Sequence, residues 1–305
     1  MKLIAMADVH IRATTPDKRI DNFVETLFNK LTFVLNQCIE QKAALCIAGD
    51  LFDAPNTPKW LIRKTINLFN QYQNVFIYCV PGQHDTAWHS MQAYDNSPMA
   101  LVEAACNNFF VLINGKAVDA IHGAGWNEEI PKALFAGAVL PNTCVTHRMV
   151  TDKGGEWYGH SEDDYTKAHS LLGNNDYTYW VSGDNHRSFH IQHNGKILVN
   201  PGSLMRLNSK QLDHKPRVGL INTETNSFEW IDVPIEPYNK VFDLNKIEKD
   251  ERKKDDKQLK ELIETIKTKK TDKPKFKIIL TEVMNEAKPN AAVQEIISNI
   301  MTKVA

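Results

Sequence analysis

No stretch of this 305-residue chain approaches the roughly 18 consecutive apolar residues that a membrane-spanning helix needs. The apolar part of Met1–Ala7 is too short for a signal peptide and runs straight into an acidic motif, so a cytoplasmic location is expected. Cysteine is sparse. Cys38, Cys46, Cys79, Cys106 and Cys144 are odd in number, contain no CxxC pair and mostly sit in apolar runs. That pattern argues against a disulfide scaffold or a thiolate zinc site, and for buried free thiols in a reducing compartment. Net charge is nearly absent, at −1, which excludes a uniformly basic nucleic-acid-binding body. Internal repeats and low-complexity tracts are also missing.

What is present is an ordinary soluble composition, 42% apolar and 24% charged, on a chain long enough for one large domain or two smaller ones. The small net charge hides an asymmetry. Lys246–Lys277 carries 13 Lys+Arg against 8 Asp+Glu. An acidic remainder suits cations, and a basic segment suits a polyanion or forms a solvated helix with internal ion pairs.

The first 85 residues alternate strand and helix signals. Leu3–Ala7, Ala44–Ala48 and Val75–Val80 are short apolar runs. Between the first two, Asp21 is placed to cap a helix carrying Phe23, Leu27, Leu31, Leu35 and Cys38 at near-helical spacing. Between the second and third, Thr57-Pro58 reads as an N-cap and a first-turn proline ahead of Leu61, Ile66 and Leu68. This order predicts a parallel sheet with helical crossovers.

Further on, Val118–Ile121 and Cys144–Thr146 read as buried strands, with a helix between Asn127 and Ala138 and an irregular excursion over Thr151–Asn175. From Tyr177 the signals are mostly β. Tyr177–Ser182 is one strand, Asn194-Gly195 joins Phe189–His193 to Lys196–Val199 as a hairpin, and Val218–Asn222 with Phe228–Val233 makes another. Two prolines in Val233–Pro237 suggest a boundary, giving domains 1–235 and 236–305. Beyond it come a charged helix with Leu259, Leu262, Ile263 and Ile266 on one face, a strand at Phe276–Val283, and a helix carrying Val293, Ile296, Ile297, Ile300 and Val304.

Asp8-Val9-His10, Gly49-Asp50-Leu51-Phe52-Asp53 and Gly82-Gln83-His84-Asp85 each follow one of the three early apolar runs. In an open α/β sheet the carboxyl ends of strands line one crevice, so these groups can meet. His147 follows Cys144-Val145-Thr146, and Asp184 and His186 repeat the i,i+2 spacing of Asp8 and His10. Asp8, His10, Asp50, Gln83, His147, Asp184 and His186 are therefore the candidate ligands, enough for two metal sites sharing Asp50. Carboxylate and imidazole donors without sulfur suit Mn²⁺, Fe²⁺ or Zn²⁺ rather than Ca²⁺. Two such ions, about 3.5–4 Å apart, activate water and neutralise phosphoryl oxygens. Asp53 is expected to orient the loop or support a ligand rather than bind metal. His84 is the candidate catalytic acid or phosphate clamp, and Asp85 either fixes its tautomer or caps a helix.

In order and spacing these motifs resemble the calcineurin-like metallophosphoesterase pattern DxH…GDxxD…GNH[DE]…H…GHxH. Gly49–Asp53 and Asn200-Pro201-Gly202-Ser203-Leu204-Met205-Arg206 further resemble the GDLFD and PGS segments of SbcD/Mre-type repair nucleases, phage recombination endonucleases included. The likeness covers about residues 1–235, and the tail only by position and pattern. It implies an α/β fold, a two-sheet β-sandwich flanked by helices with a small C-terminal α+β cap that binds DNA. It implies Asp8, His10, Asp50 and His186 on one metal and Asp50, Gln83, His147 and Asp184 on the other. His84 would steady the scissile phosphate and protonate the leaving oxygen. It also implies a Mn²⁺-dependent exonuclease and endonuclease, a homodimer for which the two early helices are candidate elements unless their apolar stripes are plain core, and an SMC-like ATPase partner of the SbcC type; the alternatives are a small-molecule or protein phosphodiesterase or phosphatase of the same superfamily and a weakly catalytic scaffold for the ATPase. The location would be cytoplasmic, in the host if phage-encoded. Two positions depart from the pattern. Gln83 replaces asparagine and Asp184 replaces the first histidine of GHxH. Both fall on the second metal, and imply either a shift towards Mn²⁺ or Mg²⁺ or a weakened second site.

Overall fold

Alternation along Lys2–Met6, the first strand β1, sets the layering of the molecule. Ile4 and Met6 face one way and Leu3 and Ala5 the other, and all four are buried. β1 must therefore be covered on both faces. The computed structural model, which describes residues 1–133, 142–152, 165–174, 176–268, 284, 289 and 291–304, meets that demand with two six-stranded sheets and outer helices.

β2 (Ala43–Ala48), β3 (Ile77–Val80) and β4 (Phe109–Val111) continue β1 in parallel. β5 (Ala117–Val118), β6 (Ile121–Ala124) and β7 (Thr143–Thr146) enter the second sheet. β8 (Val150–Thr151) and β9 (Thr166–Lys167) form a small separate pair. β10 (Tyr179–Ser182), β11 (Phe189–His193) and β12 (Lys196–Asn200) complete the second sheet, and β13 (Arg217–Asn222) and β14 (Ser227–Asp232) return to the first. The strand orders are β14-β13-β1-β2-β3-β4 and β11-β12-β10-β7-β6-β5.

Leu3, Ala5, Cys46, Ala48 and Val80 meet Val145, Val181, Ile197 and Val199 between the sheets. The outer face of the first sheet packs against α1 (Phe23–Gln41), α2 (Lys59–Gln71) and α3 (Pro98–Ala105). Cys144, Trp180 and Leu198 on the outer face of the second are covered by α4 (Ala168–Asn174). The expected α/β two-sheet architecture is thus observed, and all five cysteines are buried free thiols. Among the described residues no helix is long and apolar enough to cross a membrane.

The chain divides into two compact units, Met1–Val241, which ends with the short α5 (Tyr238–Val241), and Phe242–Ala305. In the second, the described residues form α6 (Leu244–Thr268) and α7 (Ala291–Val304). Val293 and Ile297 are buried on α7, whereas Ile296 is exposed. The strand expected at Phe276–Val283 lies outside the described residues, as do the side chains of Leu259, Leu262, Ile263, Ile266, Ile300 and Val304.

Local details differ from expectation for identifiable reasons. Asn22, not Asp21, caps α1, because Asp21 is engaged by Arg19 at 2.7 Å and by the Thr26 hydroxyl at 2.7 Å. α2 starts at Lys59 with Pro58 as the flanking residue, since the Thr57 hydroxyl donates to Ala54 O (2.7 Å) instead of capping. Asn127–Ala133 is not helical; Pro131 lacks an amide proton and biases Ile130 towards extended backbone. The rest of that expected helix, to Ala138, lies outside the described residues. The excursion expected over Thr151–Asn175 contains β9 and α4, and residues 153–164 and 175 lie outside the description.

α2 is locked to the first sheet by Phe69, fully buried, with its ring stacked on Phe109 at 5.5 Å. Phe69→Ala is expected to cost about 3–5 kcal/mol, read from the urea unfolding midpoint, with the site loops retaining their arrangement in the surviving fold.

Candidate metal centre

The loops after β1 and β2 are zipped together by main-chain bonds. Asp8 N donates to Gly49 O (3.2 Å), and Val9 N and His10 N both donate to Asp50 O (3.0 and 2.9 Å). This fixes Asp8, His10 and Asp50 at one end of the sandwich. Asp8, His10, Asp50 and Asp184 all adopt left-handed backbone, with φ of 49, 51, 49 and 73°. Such conformations are costly for residues with a Cβ and persist only where surroundings enforce them. Gly49, at φ +83°, and Gly183 leave room that no side chain can share. A Cβ at either would strike the ring of His147, and one at Gly183 would also strike Ala48 O.

The structure brings every candidate ligand together. Asp8, His10 and His186 offer donor atoms within 4.8 Å of one another, as do His10, Asp50 and His84, and Asp8, Asp50 and His147. His10 Nε2 lies 3.3 Å from His186 Nε2 and 3.7 Å from Asp50 Oδ2. His147 Nε2 lies 3.5 Å from Asp50 Oδ2 and 4.0 Å from Asp184 Oδ1. Its Nδ1 is 2.7 Å from Ala48 O. That carbonyl holds a proton on Nδ1, so Nε2 is the nitrogen that can ligate a metal once it has shed its own proton. The two departures from the family pattern touch each other: Gln83 Nε2 donates to Asp184 Oδ1 at 2.9 Å.

Burial makes this cluster electrostatically tense. Asp8, His10, Asp50 and His147 are at most 3% exposed. Burial, with Asp50 and Asp184 nearby and despite His147, pushes the Asp8 carboxyl up to about 7. Burial opposes ionisation of Asp50 too, but His147, His10 and His84 around it hold it below the usual carboxylate range. His147 is pushed up to about 10, because Asp50 outweighs the burial that would discharge it. Burial and the neighbouring His10 push His186 down to about 4.

The residues fit divalent cations. Asp8 Oδ2, Gln83 Oε1 and His147 Nε2 are buried atoms without a hydrogen-bond partner. Buried orphans of this kind cost about 1–3 kcal/mol each unless something satisfies them. They are oxygen and nitrogen lone-pair donors beside mutually repelling carboxylates, which is the environment a hard or borderline cation neutralises.

His84 is part-exposed beside the cluster, its ring 5.1 Å from that of His10. Its Nδ1 meets Asp53 O at 3.1 Å, which leaves Nε2 available to a ligand, and its amide donates to Asp50 Oδ1 (3.0 Å). Asp85 does not partner the His84 ring. Its carboxylate accepts from Leu51 N, Phe52 N and Gly82 N at 3.3, 2.8 and 2.8 Å. It therefore ties the Asp50 loop to the Gln83 loop from beneath. Asp53 lies beside the cluster, with Oδ1 3.4 Å from His10 Nδ1 and Oδ2 3.2 Å from Arg12.

Sequence reasoning missed Arg12, His89 and Asn200. His89 Nδ1 lies 2.7 Å from Gln83 O. Asn200 accepts from Ser182 (3.0 Å) and donates to Arg187 O (2.8 Å), bracing the Asp184–His186 loop. Its place at the strand end before Pro201-Gly202 was the available signal.

Fold and cluster together define a metal-dependent phosphoester hydrolase. A family description, calcineurin-like phosphoesterase, matches residues 1–188, and the chain belongs to that family. Among solved structures it is similar to an archaeal phosphodiesterase, at 12% identity and TM-score 0.43, over 76% of this chain and 99% of that one. It is also similar to a putative 5′-nucleotidase from Staphylococcus aureus, at 14% identity and TM-score 0.46, over 77% of this chain and 54% of that one. No curated protein matches it.

Two outcomes follow. Asp85→Ala removes the acceptor for three buried amides, so a loss of about 3 kcal/mol or more in chemical denaturation is expected, together with weaker metal binding. Binding of Mn²⁺ at pH 7 should release at least one proton per chain, because His147 is protonated in the metal-free site and must shed its proton to ligate. Calorimetric titration in two buffers of different ionisation heat reads this directly, and equal heats would refute it.

Proposed function

We propose that this chain is the nuclease subunit of a DNA recombination and repair complex, hydrolysing phosphodiester bonds in duplex ends and single strands. The observation that carries the hydrolytic part is the convergence of Asp8, His10, Asp50, Gln83, His147, Asp184 and His186 with the part-exposed His84. Asp8, His10, Asp50 and His186 are assigned to one ion, and Asp50, Gln83, His147 and Asp184 to the other. Mn²⁺ is the proposed metal; Mg²⁺, Fe²⁺ and Zn²⁺ are alternatives for the same donors. Bound there, the ions supply a hydroxide at neutral pH and charge neutralisation for the phosphoryl oxygens.

The protein's own part is positional. Asp50, held by the His84 amide and shared by both assignments, sets the spacing of the ligands. His147, oriented by Ala48 O, presents a single nitrogen. His84, turned by Asp53 O, faces the substrate with Nε2, where it steadies the phosphate and gives a proton to the departing sugar oxygen. Asp85 acts on this arrangement only through the loops it ties.

Support for DNA over a small ester is the Gly49–Asp53 run, the Asn200–Arg206 run, and a further C-terminal unit beginning with the charged α6. An SMC-like ATPase partner, a homodimer formed through α1 and α2, and cytoplasmic action belong to the same proposal. The half-exposed Trp60 and Ile39 on those helices are compatible with the dimer.

The test is Mn²⁺-dependent cleavage of labelled duplex and single-stranded DNA beside a chromogenic phosphodiester. DNA cleavage is expected. Turnover of the small ester alone would replace the nuclease reading with a small-molecule phosphodiesterase. His84→Ala should lower DNA cleavage by about 10²–10⁴-fold, as loss of a general acid does, with metal content by elemental analysis unchanged.

A further inference from the structure

Away from the ligand cluster, α1, the segment after Gly202 and the stretch before α5 enclose a cavity of about 310 Å³. Its lining is unusually cationic. Arg19, Lys30, Arg206 and Lys240 face Asp21 and Glu236. Arg19, Lys30 and Arg206 are each at most 8% exposed, whereas Lys240 stands at the rim. Asp21 is engaged by Arg19 through two bonds, 2.9 and 2.7 Å, and by Thr26. Glu236 is an exposed rim group, 3.7 Å from Lys240.

Lys30 is left in an incomplete environment. Its ammonium carries three donors, and it donates to Leu204 O at 3.1 Å, a neutral carbonyl. The charges acting on it include two guanidiniums, Arg206 and Arg19, and one carboxylate, Asp21. Burial, together with those guanidiniums, pushes the ammonium down to about 7. A buried ammonium whose printed hydrogen bond is to a neutral carbonyl is costly, and the guanidiniums beside it add to that cost. Leu204 also links the cavity floor to the metal-bearing loop, since its amide donates to Asp8 O (3.3 Å).

We propose that this cavity is an anion subsite that takes a phosphomonoester, a terminal phosphate with its attached sugar. Guanidinium and ammonium donors match tetrahedral phosphate oxygens, and a dianion compensates the buried positive charge. The volume lies near the lower end of ligand pockets, about 300–1,000 Å³, which is larger than an inorganic phosphate requires. Lys30 supplies free donors at the floor and Lys240 at the mouth, while Arg19, committed to Asp21 and Arg206 O, and Arg206, committed to Leu212 O and Glu236 O, contribute through their field. The phosphate belongs either to a free nucleotide or to a strand end. The site is chemically separate from the metal centre and does not depend on the nuclease reading.

The full chain is titrated calorimetrically with thymidine 5′-monophosphate, thymidine and inorganic phosphate, first loaded with Mn²⁺ and then after chelation. Binding that survives chelation reports the cavity, because the metal-free acidic cluster repels phosphate. The nucleotide is expected to bind, thymidine is not, and inorganic phosphate binds more weakly than the nucleotide. Lys30→Met should weaken nucleotide binding at least tenfold while melting no lower than wild type in phosphate-free buffer. Lys240→Glu, on the exposed rim, should weaken it several-fold. A 5′-phosphorylated oligonucleotide competing where its 5′-hydroxyl counterpart does not assigns the site to strand ends; no competition by either assigns it to the free nucleotide. No saturable binding at millimolar nucleotide, or equal affinity in wild type and Lys240→Glu, overturns the proposal. A wild type that binds nucleotide but never cleaves DNA overturns the nuclease reading alone.

Discussion

The structure turns on a carboxylate, Asp50, held almost fully out of water between imidazoles. An ion in that position is stable only if its surroundings answer its charge. His147 and His10 approach one oxygen at 3.5 and 3.7 Å, and the His84 amide binds the other. Those three groups come from three different loops, so satisfying Asp50 also assembles the site. Much of the local geometry follows from it. The β1 and β2 loops are zipped by main-chain bonds, glycine stands where His147 must fit, and Asp85 ties two loops from below.

The two-sheet frame gives this assembly its rigidity. Strands buried on both faces cannot slide by one residue without exposing a full set of side chains. β1, β2 and β3 are parallel, and β7 and β10 run parallel in the facing sheet. Their carboxyl ends deliver Asp8, Asp50, Gln83, His147 and Asp184 to one edge of the sandwich. The left-handed backbone at Asp8, His10, Asp50 and Asp184 is strain carried by that frame. Helices α1, α2 and α3 contribute no metal donor; their work is to cover the outer face so that the strand ends stay in register.

Gln83 and Asp184 stand side by side at the cluster. Each departs from the family pattern, and the two are hydrogen-bonded at 2.9 Å. The longer amide reaches the shorter carboxylate, and Gln83 keeps a buried oxygen without a partner, available to a cation. An added carboxylate in place of imidazole raises the negative charge of that half of the site.

Most of the site was legible in the sequence because its residues sit in short motifs directly after apolar runs. Asp8, Asp50, His84, His147 and Asp184 needed only the rule that strand ends converge. Most strands of both sheets, the Asn194-Gly195 hairpin and the first two helices were legible through hydrophobic period, but β4 was not read and the single strand expected at Val118–Ile121 is the turn between β5 and β6 with their ends. What was not legible depended on partners distant in the chain. Asp85 looks in sequence like a companion to His84, its neighbour, yet its carboxylate is committed to amides more than 30 residues away at Leu51 and Phe52. Asp21 looks like a helix cap, but Arg19 and Thr26 claim it first. Arg12 and the cationic cavity around Lys30 leave no local pattern at all. The sequence by itself thus marked the candidate donors and most of the strands that carry them, since period and motif are local properties. Only the tertiary structure decided which of those groups are deprived of water and of other partners, because burial and competition for hydrogen bonds are set by what folds over them.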